Sequence, residues 1–145
     1  MFRKSIFTLA LFLTVFICAA PAVMAQTSAD TAMIEALFAK EAPLTQADVD
    51  KFIEIGPDMV QAATANDVAK AAEILNQVGW TETRGSFVTA KISNAYAINL
   101  NPDMAKSMLE AAGMPATLMP TDAEMALVQK NIAALDKIFT SVGSF

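Results

Sequence analysis

Five methionines, Met104, Met108, Met114, Met119 and Met125, crowd the stretch between positions 104 and 125. Thioether sulfur is a soft donor that suits Cu(I). Met104 and Met108 stand four residues apart, so a helix carrying them places both on one face. The same side chains, flexible and polarizable, also fill gaps in helical cores and line adaptable apolar grooves. Copper ligation and apolar packing are thus the two chemistries open to this group.

Carboxylates are densest at Asp48, Asp50, Glu54 and Asp58. Asp50 and Glu54 share a helical face, whereas the paired acids of a glycosidase flank a sugar cleft and come from different elements. Nor does the run contain the glycine-turned loop of an EF-hand. It reads as a solvated helix face. Trp80 and Arg84 lie one turn apart if a helix begins near Thr81. Either the guanidinium covers the indole, or Trp80 packs at an interhelix corner while Arg84 pairs with a nearby carboxylate. Asn94, Tyr96 and Asn99 are polar handles for a pocket or for solvent.

Other chemistry is limited by what the chain lacks. It has no histidine and one cysteine, Cys18. Beyond residue 25, where neither residue type occurs, catalytic triads, thiol nucleophiles and the usual zinc sites therefore have no residues to build them. No Gly-rich phosphate loop or dinucleotide fingerprint occurs. The expectation is a protein that is not an enzyme and carries no cofactor.

The N-terminus supplies an address. Arg3-Lys4, the apolar run Ile6 to Ala20, Pro21 and the small-residue exit Val23-Met24-Ala25 read as a secretory signal peptide cleaved after Ala25. The apolar run is too short to span a bilayer, so no stable membrane span is expected after cleavage. Residues 26–145 then form a single helical domain in the periplasm or outside the cell. Cys18 departs with the leader, and disulfides are impossible in what remains. Eight of the ten basic residues and all fifteen acidic ones lie beyond residue 25, a formal net charge of −7. That balance argues against nucleic acid and anionic membranes, both of which ask for basic clusters.

The elements that position these residues are legible from caps and periodicity. Met33, Ile34, Leu37 and Phe38 mark an amphipathic helix over 30–40, stopped before Pro43. Thr45 and Asp48 open a helix with Val49, Phe52 and Ile53, which Gly56-Pro57 breaks or kinks. Asn66 caps a helix with Val68, Ala71, Ala72, Leu75 and Val78 facing inward, closed by Gly79. Asn101-Pro102-Asp103 opens another that Gly113 ends. The capping box Thr121–Glu124 starts the clearest stripe, Met125, Val128, Ile132, Leu135, Phe139 and Val142, ending at Gly143. The segment 87–100 fits both an alternating hairpin and a helix; its alanines and helical surroundings favour the helix.

The predicted fold is all-α, a small single-domain bundle or orthogonal array of five to six short helices. The predicted function is a non-enzymatic binding or interaction module with an apolar groove or oligomer face. Its candidate surface comprises Val128, Ile132, Leu135, Phe139, Met104, Met108, Trp80 and Arg84. The partner expected is a protein, a hydrophobic ligand or a second copy of the chain. The alternative is a periplasmic protein handling Cu(I) or another small ion through its methionines.

Overall fold

The computed structural model describes residues 28–142; the expected leader, its expected cleavage point and Gly143 lie outside the described residues. Seven α-helices and one 3-10 turn occur among them, and no strand. They are α1 (Ser28–Phe38), α2 (Gln46–Thr64), α3 (Val68–Gln77), α4 (Glu82–Leu100), α5 (Pro102–Ala111), the 3-10 turn (Ala116–Leu118), α6 (Asp122–Lys130) and α7 (Ile132–Val142). No helix among the described residues is long and apolar enough to cross a membrane.

Side-chain caps set most helix starts. Thr45 with Asp48 and Thr121 with Glu124 form reciprocal capping boxes. Thr81 caps α4, and Asn101 caps α5 with Pro102 in the first turn. The cap of α3 is Asp67 and not Asn66: the Asp67 carboxylate accepts from Lys70 N at 2.9 Å. Asn66 instead takes φ 53° in the turn, a left-handed conformation that asparagine tolerates. Gly79 and Gly113, with φ of 75° and 67°, close α3 and α5 as expected.

Two expected boundaries are corrected. Gly56-Pro57 does not break the second helix, since α2 runs on to Thr64. The buried residues Val49, Phe52 and Ile55 before Pro57 continue as Met59, Val60 and Ala62 after it, and burial along that length outweighs the roughly 3 kcal/mol that proline costs a helix interior. Gly56 serves packing: a Cβ there would stand 2.6 Å from Ile138 Cδ1 of α7. Conversely, the stripe expected on one helix over 121–142 is divided at Asn131, whose side-chain amide donates to Leu127 O at 2.8 Å and helps to end α6.

The segment 87–100 is helical. α4 is the central element, packed by α1, α2, α3, α5, α6 and the 3-10 turn. Such a helix has no single apolar stripe because nearly every side faces a neighbour. This explains why Gly85, Ser86, Ala90 and Ala95, small residues allowing close approach, alternate with Phe87, Val88 and Ile92. Aromatic pairs knit the ends of the core: Phe38–Phe87 with centroids 5.7 Å apart, and Phe139 with Tyr96 at 4.4 Å and Phe52 at 6.1 Å.

Candidate functional site

Ionisable groups gather along one side of α4. Arg84, Phe87 and Lys91 are separated by three and four residues and so lie along one face. Both cations flank the Phe87 ring, each 5.5 Å from its centroid. Each also pairs with the acid of a capping box. Arg84 Nη2 donates to Asp48 Oδ2 at 2.7 Å, and Lys91 Nζ donates to Glu124 Oε2 at 2.9 Å.

Those two acids hold the linker between α1 and α2. Glu124 Oε1 accepts from Leu44 N at 3.0 Å, and Asp48 Oδ2 accepts from Thr45 N at 3.0 Å and from its hydroxyl at 2.7 Å. Arg84 adds Glu41 at 3.4 Å and donates to the carbonyls of Ala42 and Pro43. Every residue from Glu41 to Thr45 is therefore held by a charged group of α2, α4 or α6. Lys91 also donates to Met119 O at 2.8 Å, fastening the segment before α6 to the same helix.

The two pairs differ in depth. The side chains of Lys91 and Glu124 are 6% and 3% exposed, those of Arg84 and Asp48 16% and 10%. Burial pushes both carboxyls up, yet each ends below its ordinary value. For Asp48 the hydrogen bonds from Thr45 and Arg84 and the Arg84 charge prevail; for Glu124 those from Thr121, Leu44 and Lys91 and the Lys91 charge do so. Both acids are thereby held ionised.

Three further polar residues of α4 also make structural contacts. Asn94 donates to Leu118 O at 3.0 Å, Asn99 to Met125 O at 3.3 Å, and the Tyr96 hydroxyl to Asp136 Oδ1 at 2.6 Å. Burial and then the Asp136 carboxylate push the Tyr96 hydroxyl up to about 12. Ser86, Ser93 and Thr117 keep buried hydroxyls with no hydrogen-bond partner among the described residues, leaving polar groups incompletely satisfied on α4 and the neighbouring 3-10 turn.

The structure disperses the residues expected to form an interaction surface. Val128 and Leu135 are fully buried, and Ile132 and Phe139 partly so. Val128, Leu135 and Phe139 pack against the core, where α4 meets α6 and α2 meets α7. Trp80 is buried, its nearest cation being Lys51 at 6.0 Å from the ring; Arg84 is in the pairs described above and not over the indole.

The methionines divide. Met114 and Met125 are partly buried against the core, whereas Met104 and Met108 on α5 are 57% and 50% exposed, beside Leu100 at 60%. Met33 and Leu37, one turn apart on α1, are exposed as well. The Thr31 hydroxyl of α1 donates to Gly113 O, in the turn after α5, at 3.3 Å.

Among the described residues no three His, Cys, Asp or Glu side chains converge on a possible metal site. Within the acidic run, Asp48 is tied to Arg84, while Asp50, Glu54 and Asp58 lie on the exposed side of α2. The Lys91–Glu124 pair escapes a reading of spacing alone, because Glu124 is fully accounted for as a local cap. The available signal was a lone lysine inside the acid-free stretch Gly85–Ala97, where a charge needs a partner. Comparison with protein families, curated proteins and solved structures finds no match to this chain.

Proposed function

We propose that this protein is a non-enzymatic binding module of the bacterial envelope, delivered by a cleavable signal peptide, whose α5 region docks an apolar helical segment of a partner protein. One observation carries the reading: Leu100, Met104 and Met108 are half or more exposed on and beside a helix whose own buried residue is Ala105. An exposed methionine pair suits adaptable apolar recognition. Three side chains cover far less than the roughly 800 Å² per partner of a standard protein–protein interface, which favours a single helical segment over a second folded copy.

The test uses a neutral hydrophobic dye and the triple variant Leu100→Ser/Met104→Ser/Met108→Ser. Dye fluorescence rises with the wild type and is lost in the variant, whose helicity is unchanged. Equal dye binding by both proteins, or none by the wild type, rejects the reading. A dimer mass in native mass spectrometry that the variant loses would reassign the face to a second copy.

A second reading, Cu(I) binding, is favoured by the same exposed pair, since both thioethers stand one turn apart and open to an ion. The variant Met104→Leu/Met108→Leu separates the two. It keeps the apolar face and removes both sulfurs, so dye binding survives while Cu(I) affinity, measured by chelator competition, falls. Unchanged Cu(I) affinity ends the copper reading.

A further inference from the structure

We propose that α1 and the linker 39–45 form a strap that leaves α4 in acid, when Asp48 and Glu124 are protonated, while the other helices stay packed. The proposal stands on where the strap is fastened. Its polar anchors, from Glu41 to Thr45, all run through Arg84, Asp48 or Glu124. Beyond them, α1 packs mainly on α4 and the 3-10 turn through Ile34 and Phe38, with the Thr31–Gly113 hydrogen bond at its far end.

The charged groups facing the two carboxylates are Arg84 and Lys91 from α4, with Glu41 from the linker on the same guanidinium. Once Asp48 and Glu124 are protonated, neither carboxyl offers a charge to the Arg84 and Lys91 side chains that face them. Lys91 is then a buried charge beside an uncharged partner, which is costly until water reaches it. Lifting the linker gives it that water.

Packing of α2 on α3 and α7 rests on apolar side chains that do not titrate, and α4 packs on α5 where Ile98 and Ala105 are buried. Opening can therefore remain local to the strap. What it uncovers is the Phe87 ring between two cations, an apolar patch of positive charge on an acidic protein. Because Asp48 and Glu124 both lie below their ordinary values, the fastening is complete above the usual carboxylate range and is lost as pH falls through and below it.

Hydrogen exchange of the whole protein, corrected for intrinsic rates, tests this between pH 7 and pH 3. The amides of 31–45 are expected to lose about tenfold more protection than those of 86–98 in α4. The variant Asp48→Asn/Glu124→Gln is expected to show the same selective loss at pH 7. Loss of protection in both segments together, or in neither, overturns the proposal. So does a wild-type acid response that the folded variant fails to reproduce at neutral pH, since another carboxylate would then be the trigger. If the variant does not fold, the wild-type series decides alone.

Discussion

α4 and α5 are consecutive helices joined at Asn101, yet they place opposite kinds of side chain against convention. The central helix buries a lysine and half-buries an arginine, each satisfied by a capping-box acid. Its neighbour leaves two methionines in solvent and buries one alanine. A buried charge with complete partners is a fastening; an apolar pair left exposed among the described residues is available for something else. Charge in this molecule therefore builds structure, and its exposed apolar surface is where we propose recognition.

The deep pair offers the largest test of that division. Glu124→Ala leaves Lys91 as a buried charge without its partner and Leu44 N without an acceptor, and should cost about 3–5 kcal/mol in urea unfolding. A loss near zero would mean that α4 can hydrate Lys91 without rearrangement. Asp48→Ala should cost less, about 1–3 kcal/mol, because Arg84 is nearer solvent and retains Glu41 and two carbonyls. If Asp48→Ala proved the more damaging of the two, the order of depth would not be the order of energy.

Tyr96, the sole tyrosine, sharpens the same point in alkali. Its hydroxyl pKa is raised in the folded protein, so its contribution is present below about pH 10, the ordinary value, and is lost as pH rises towards 12. Ultraviolet titration of the tyrosinate band should find the midpoint near 12, and Tyr96→Phe should remove the associated loss of stability. A midpoint at the ordinary value would show that the bond to Asp136 does not hold in solution. Smaller still, Ser86→Ala removes a buried hydroxyl with no partner and should be neutral or stabilising by up to about 1 kcal/mol. A clear destabilisation would reveal a partner for Ser86.

The caps made much of the fold legible in the sequence. Thr45, Thr121, Asn101-Pro102 and the two glycine stops act within one turn, so their residues carry the signal locally. What escaped depended on residues far apart in the chain. Helix α2 continues through Pro57 because α7 and α3 bury its whole length, and α4 resembles a strand in its alternation because neighbours surround it. The stripe Val128, Ile132, Leu135 and Phe139 falls on two helices divided at Asn131, and periodicity alone does not tell a core face from a partner face. Likewise the strap's anchors join Leu44 to Glu124 and Asp48 to Arg84 across 80 and 36 residues, a distance over which side-chain type alone carries no register.

The central claim, that charge fastens this fold while the α5 face is free for recognition, is tested most directly by comparing the urea unfolding of two variants with that of the wild type. Lys91→Met should lower the midpoint markedly, whereas Leu100→Ser/Met104→Ser/Met108→Ser should leave stability within about 0.5 kcal/mol of wild type. The account is contradicted if the serine variant loses as much stability as Lys91→Met, for the α5 face would then belong to the core and not to a partner.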